Sequence, residues 1–208
     1  MSSSNITWHE GLVAPEQRSE ILRSRGATLW LTGLSGSGKS TLAAAVEQRL
    51  VLDGRGAYLL DGDNLRTGLN SDLGFSRESR VENVRRTAEV ACLFADAGLV
   101  AVVALISPYA SSRQWARQLH RRAGLPFVEI YMEASVDLCA TRDAKGLYAQ
   151  VTTGTIQSFT GIDDPYEVPD APDLVVGAGT ALEDGVDAVV AALVRAEGVG
   201  RRLEGSGT

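Results

Sequence analysis

Eight consecutive residues, Gly33-Leu34-Ser35-Gly36-Ser37-Gly38-Lys39-Ser40, concentrate the chemistry of this sequence. They fit G-x-x-x-x-G-K-[ST], a loop whose glycines let backbone N–H groups close around phosphate oxygens. Lys39 would reach the outer phosphates of a nucleoside triphosphate, and the Ser40 hydroxyl would hold Mg²⁺. A second cluster, Asp61-Gly62-Asp63, closes a strand expected to lie beside that loop. D-G-D is also good turn chemistry. At a strand end, however, one carboxylate can support Mg²⁺ through water and another can accept a proton from an attacking hydroxyl. Asp61 is assigned the first role and Asp63 the second.

Other residue types extend the candidate site. Arg80 and Asn83 are three apart on one helix and share a face, and Arg66 follows the acidic turn. Such a set suits an anion clamp, since guanidinium forks match phosphate or sulfate oxygens; the competing reading is a solvated basic surface, for which Arg85 and Arg86 are better examples. Phe75 and Phe159 stand outside regular elements, in Gly-rich surroundings, where an aromatic ring either stacks on a nucleobase or tethers its loop to the core. The chain has 20 basic residues, all arginine except Lys39 and Lys145, and both lysines sit in segments suspected of touching phosphate. His9 and His120 have no partner that suggests catalysis, and His120 reads as a surface or helix-end residue.

The elements that position these groups alternate. Helices are expected over 15–25, 39–52, 79–97, 111–123, 136–142 and 182–196. Strands are expected over 27–32, 57–60, 99–106, 127–132 and 174–176. Pro15 opens the first helix and Gly26 follows it. Ser79 with Glu82 forms a capping box for the third, along which Val81, Val84, Ala88, Ala91 and Phe94 make an apolar stripe. Strands alternating with helices predict an α/β fold, a five-stranded parallel sheet covered on both faces. Ligands of such sheets sit beyond the carboxyl ends of the strands. The loop at 33–40, Asp61-Gly62-Asp63 and Ser107-Pro108 all fall at that edge. Residues 143–172 have weak periodicity with several Gly and Pro, as in a lid or binding loop, or in disorder.

Composition bounds the rest. A chain of 208 residues fits one domain with a buried core. We divide it into an N-terminal segment 1–26 with a short helix, a P-loop domain 27–197 and a flexible tail 198–208. A net charge of −6 argues against bulk nucleic acid as partner. Cys92 and Cys139 are far apart, without metal-ligand spacing, and fit a reducing cytosol better than a disulfide scaffold. Neither a signal peptide nor a membrane span is legible.

The combination of motifs is more specific than the loop alone. Leu31-Thr32-Gly33-Leu34-Ser35-Gly36-Ser37-Gly38-Lys39-Ser40-Thr41, Asp61-Gly62-Asp63-Asn64-Leu65-Arg66, Leu73-Gly74-Phe75-Ser76 and Arg80-Val81-Glu82-Asn83-Val84-Arg85-Arg86 resemble adenylylsulfate kinases (APS kinases). So do Phe94-Ala95-Asp96-Ala97-Gly98, Ile106-Ser107-Pro108, Lys145-Gly146-Leu147-Tyr148 and Phe159-Thr160-Gly161-Ile162-Asp163. The resemblance runs from about residue 8 to about residue 196.

It implies the three-layer P-loop kinase fold and transfer of the γ-phosphate of MgATP to the 3′-hydroxyl of adenosine 5′-phosphosulfate (APS). The implied catalytic set is Lys39, Asp63 and Asp61, with Ser40 on the metal. The implied ATP site is Gly33 to Thr41 with Arg142 against the adenine and Gly179 and Thr180 lining the same pocket. The implied APS site is Asp63, Arg66, Phe75, Arg80, Asn83, Ile106, Ser107, Lys145, Leu147 and Phe159, with the two phenylalanines around the adenine. Ser107 matches a position described as phosphoserine in some members, although direct transfer does not require it. The family's basic run after Lys145-Gly146-Leu147-Tyr148 is replaced here by Ala149-Gln150-Val151-Thr152. The resemblance further implies a stand-alone, cytoplasmic homodimer, with ATP sulfurylase as a possible associate. A kinase of another small hydroxyl substrate, or a regulatory nucleotide-binding subunit, are the competing readings.

Overall fold

The computed structural model describes residues 7, 9, 11–22, 24–142, 146, 160, 161 and 164–204, without the side chains of 16 and 199–204. Its elements are α1 (Pro15–Leu22), β1 (Ala27–Thr32), α2 (Lys39–Leu52), β2 (Ala57–Asp61), α3 (Gly62–Leu65), α4 (Arg77–Asp96), β3 (Val100–Ala104), α5 (Ala110–Arg122), β4 (Phe127–Glu133), α6 (Val136–Thr141), β5 (Leu174–Gly177) and α7 (Leu182–Glu204). The five strands are all parallel, in the order β2-β3-β1-β4-β5. β1 and β3 are buried along their whole length, as near-continuous apolar strands between two helical layers must be.

Each face of the sheet has its own core. On one face Leu29, Leu31, Val102 and Ile130 meet Leu42, Val46 and Leu50 of α2 and Val189 and Leu193 of α7. On the other, Trp30, Ala101 and Val103 meet Val84, Ala88 and Ala91 of α4 and Ala116 of α5. The result is the three-layer arrangement expected from the alternating pattern, with every strand pointing its carboxyl end at one edge.

β3 runs between β1 and β2 in the sheet. α2 nevertheless reaches over to β2, where Glu47 accepts the Leu59 N–H at 2.6 Å, so the carboxyl end of β2 still meets the start of α2. The residues after β2 form the short helix α3 rather than a bare turn. α4 starts earlier than expected: Ser76, not Ser79, is its N-cap, its hydroxyl accepting from the Ser79 N–H at 3.2 Å. Glu82, freed from a capping box, pairs with Arg85 and Arg86. Val81 lies off the apolar stripe and is exposed, while Ala95 extends the buried face. α1 stops at Leu22, fixed by Arg18 Nε donating to Asp96 O at 3.0 Å.

α7 continues through Gly198 and Gly200 to Glu204, into the stretch read as a tail. A helix glycine costs about 1 kcal/mol relative to alanine, and the packed face of α7 with the Arg55–Glu197 pair offsets it. Of the suspected lid, 143–145, 147–159, 162 and 163 lie outside the described residues. The strand count, the parallel pairing and all five strand locations agree with the expectation.

Candidate active site

The phosphate loop is shaped by its glycines. Gly36 has φ +81, and a Cβ there would lie 2.9 Å from the carbonyl oxygen of Cys139 on α6. Gly38 caps α2 in the left-handed region and supplies no capping side chain, and the first turn carries no acidic residue. The N–H groups of that turn and the positive end of the helix dipole lie at the cavity and favour an anion. Lys39 Nζ lies across the loop, donating to Leu34 O at 2.7 Å.

The acidic turn is tied to that loop. Asp61 is buried at the end of β2. Its Oδ2 accepts from the Ser40 hydroxyl at 2.6 Å, and its Oδ1 accepts from the Asp63 N–H at 2.9 Å, capping α3. One carboxylate thus links the first turn of α2 to the backbone of Asp63. Asp63 itself is exposed to the cavity between the loop and the basic cluster.

Arg66, Phe75, Arg80, Asn83, Ile106 and Ser107 line the far side of the same cavity. The Arg66 guanidinium lies over the Phe75 ring, 4.4 Å from its centroid, and donates to Leu73 O at 2.9 Å. Burial, then the nearby Arg80 charge, lower the pKa of Arg66 from its ordinary high value. Arg80 and Asn83 are buried on α4, not on a solvated face. Arg80 Nε donates to Phe75 O at 2.9 Å, its Nη1 to the Thr160 hydroxyl, and Asp164 lies 3.5 Å away. Asn83 Oδ1 accepts from Asn70 Nδ2 at 2.9 Å, which turns its NH₂ group to the other side. Arg85 and Arg86 are engaged with Glu82, and Arg86 also with Asp72, on the surface.

Ser107 is the non-glycine residue with positive φ among the described residues, at +41. Its hydroxyl is buried, accepting from Trp30 Nε1 at 3.1 Å and donating to Thr32 Oγ1 at 2.9 Å. That hydroxyl points into the core, a poor position for a phosphorylated side chain. On the opposite end of the cavity, Arg142 Nη2 donates to Ala178 O at 3.1 Å, joining the end of α6 to the turn after β5. Arg142 and Thr180 line the cavity there, whereas Gly179, expected to line it, is exposed and does not. Lys145, Leu147 and Phe159 lie outside the described residues, as do Ala149 to Thr152.

The whole cavity measures about 830 Å³, at the upper end of ordinary ligand pockets. It runs unbroken from Arg142 and Thr180, past the phosphate loop and Asp63, to Arg66, Phe75 and Asn83.

Residues 25–177 match the family model for adenylylsulphate kinase. The chain is 51% identical to the adenylyl-sulfate kinase of Clostridium kluyveri over 85% of this chain and 87% of that protein. It is 50% identical to that of Saccharomyces cerevisiae over 83% and 85%. An APS kinase of Mycobacterium tuberculosis, solved in complex with AMPPNP and APS, superposes with a TM-score of 0.80 at 48% identity, covering 82% of this chain and 99% of that one. The chain belongs to the adenylylsulphate kinase family.

It is accordingly an enzyme, an adenylyl-sulfate kinase that uses ATP. Among the described residues, no helix is long and apolar enough to cross a membrane.

Sequence reasoning missed several supports of this kinase cavity. Thr160, Val84 and Leu105 line it; Thr160 stood inside a recognised motif, but no property of a lone threonine marks it. Asn70, completely buried, orients Asn83 from behind. His120 is wrongly placed by the sequence reading as a surface residue. It is fully buried, between Thr28 Oγ1 at 2.8 Å from Nε2 and Ala116 O at 2.8 Å from Nδ1. Its position at the end of α5 agrees with expectation; its side chain simply packs inward against Phe127.

Proposed function

We propose that the chain transfers the γ-phosphate of MgATP to the 3′-hydroxyl of APS, giving 3′-phosphoadenosine 5′-phosphosulfate and ADP. The observation that carries this reading is the continuity of one cavity, with Asp63 between a phosphate loop and a buried Arg–Asn cluster.

In this reading Arg142 and Thr180 receive the ATP adenine, and the first-turn N–H groups of α2 with Lys39 hold the phosphates. Phosphoryl transfer needs positioning and charge neutralisation more than covalent participation by the protein. Asp63 accepts the proton of the attacking hydroxyl, and its backbone is held by Asp61. Arg80, Arg66 and the NH₂ of Asn83 supply donors to the phosphosulfate and sugar, and Phe75 offers a ring to the APS adenine.

The donor set beside the loop suits Mg²⁺: Ser40 Oγ and Asp61 Oδ2 are hard oxygens 2.6 Å apart. The described residues contain no acidic or histidine cage, and Mg²⁺ characteristically binds through one or two side chains plus substrate phosphates. When bound, the ion would neutralise charge on the transferring group.

We extend the proposal to a cytoplasmic homodimer able to associate with a sulfurylase. Exposed apolar side chains at Ile21, Leu93 and Tyr58, the last stacked on Phe94, give a surface for a second copy.

The deciding experiment measures ADP release by the purified protein with MgATP, with and without APS. APS-dependent release is expected, and Asp63→Asn should reduce it by about 10²-fold while the melting temperature holds. ADP release indifferent to APS would sink the assignment; normal turnover by the variant would sink the role of Asp63.

A further inference from the structure

Arg113, on α5, is almost completely buried and does not line the cavity. Each of its three guanidinium nitrogens donates a hydrogen bond. Nε donates to Glu129 Oε1 at 2.8 Å, Nη1 to Ser107 O at 2.7 Å and Nη2 to Glu167 O at 2.7 Å. A buried cation is costly unless paired and hydrogen-bonded. Glu129 neutralises this one from β4, which leaves two strong donors to hold backbone carbonyls that a neutral side chain would hold less tightly.

The two carbonyls belong to segments that meet at the substrate end of the cavity. Ser107 is strained, at φ +41. Such a conformation persists only where the surroundings over-determine it. Here the hydroxyl is fixed by Trp30 and Thr32, and the carbonyl by Arg113. Glu167 belongs to the last part of the suspected lid, which leads toward β5. Its N–H donates to Pro108 O at 2.9 Å, and its carboxylate accepts from the Ala110 N–H at 2.7 Å. A single guanidinium therefore locks the strained turn and this last part of the lid to each other and to the sheet.

We propose that Arg113 is a positioning residue for the acceptor substrate. It holds the Ile106–Ser107 wall in the strained conformation that shapes the APS end of the cavity, and it registers that wall against the last part of the lid. The inference rests on the reading that this end of the cavity takes APS. The phosphate loop is not part of the clamp: it is built from its own backbone and packs on α6. Loss of Arg113 should therefore act on one substrate and spare the other.

The experiment compares Arg113→Met, Arg113→Lys and Glu129→Gln in the full-length protein, with KM measured separately for APS and MgATP. Glu129→Gln removes the ion pair's negative partner but leaves both carbonyl bonds available, so it reports general loosening of the buried pair. Arg113→Met should raise the KM for APS about tenfold and leave that for MgATP within about twofold. Arg113→Lys, able to keep one carbonyl bond, should fall between it and the wild type. Glu129→Gln should lower the melting temperature yet change the KM for APS by no more than about twofold. In ¹⁵N-labelled protein, the Trp30 indole N–H resonance, which reports the bond to Ser107, should move in both Arg113 variants and stay in place in Glu129→Gln.

Equal rises in both KM values, no rise in either, or a Glu129→Gln effect as large as that of Arg113→Met would overturn the proposal. Where Arg113→Met fails to fold, Arg113→Lys against Glu129→Gln carries the same comparison. A wild type without APS-dependent turnover overturns the functional reading itself; an active wild type whose Arg113 variants keep the wild-type KM overturns this inference alone.

Discussion

The two ends of the cavity are built by opposite means. The phosphate end is a single stretch of chain, residues 33–41, shaped by glycine backbone conformations and the start of one helix. The acceptor end is assembled from Arg66, Phe75, the α4 pair Arg80 and Asn83, the turn at Ser107, and Thr160. Its parts are held by side-chain hydrogen bonds between separate segments, one pair of them 80 positions apart. A wall of the first kind carries its own geometry and fails when one of its own residues changes. A wall of the second kind can be damaged from outside, by residues no substrate touches.

The largest effect should come from within the phosphate wall. Lys39→Met removes the cation that spans the loop and would reach the transferring phosphate. Turnover should fall by roughly 10³-fold or more, since a single preorganised charge at a developing negative centre contributes several kcal/mol. APS affinity, measured by equilibrium binding, should change little. A variant that lost APS binding as severely as turnover would mean that the two walls are not separable.

The acceptor wall should be open to damage from behind. Asn70 is fully buried, and its Nδ2 fixes the Asn83 amide, while its own Oδ1 has no partner among the described residues. Asn70→Leu keeps much of the volume and removes that unsatisfied oxygen, so its stability cost is small. It also frees Asn83 to rotate and present its carbonyl where a donor is wanted. We expect the KM for APS to rise about fivefold, with kcat and the KM for MgATP close to wild type. A variant indistinguishable from wild type in all three would show that the Asn83 amide is oriented by the ligand and not by the fold.

The same contrast explains what could be read from the sequence. The sheet was legible because its strands are short apolar runs and its helices carry strong stop signals, so element type and place followed from local pattern. The phosphate loop was legible for a related reason: its chemistry and its geometry occupy the same few residues. The acceptor wall was legible only through the resemblance. Arg80 and Asn83 looked as compatible with a solvated face as with a clamp, because helical spacing says which residues share a face and not what covers it. Asn70, Thr160 and Arg113 gave no signal, since an isolated polar residue does not reveal a partner 13, 80 or 6 positions away. No strand order could be read from the sequence, for the same reason: adjacency in a parallel sheet is decided by packing across crossovers and not by succession along the chain. The start of α4 was misplaced because two serines three residues apart are both N-cap residue types, and Ser76 is the one whose hydroxyl accepts a first-turn N–H, that of Ser79.

The smallest effect concerns the scaffold that both walls share. His120 sits at the end of α5, the helix that carries Arg113, and bonds to Thr28 on β1, the strand that leads into the phosphate loop. Its Nδ1 faces the Ala116 carbonyl, so that nitrogen carries the proton, and Nε2 accepts from the Thr28 hydroxyl. Both ring nitrogens are therefore satisfied in the neutral form, and burial lowers the pKa below its ordinary value of 6.5. The unfolded chain binds a proton near that ordinary value while the folded chain resists it. Stability from this residue is thus complete above about pH 6.5 and declines as the pH falls below it, with a limiting slope of about 1.4 kcal/mol per pH unit. Urea unfolding of the wild type should be nearly level at about pH 7.5 and fall increasingly from about pH 6.5 to 5.5 toward that slope, and His120→Asn should flatten the fall even where the variant is less stable overall. Because His120 lies beneath the walls and touches neither, the ratio of the two KM values should be the same in variant and wild type at each pH. A wild-type stability that is flat across this range would mean that the folded protein accommodates the imidazolium at the Thr28 hydroxyl.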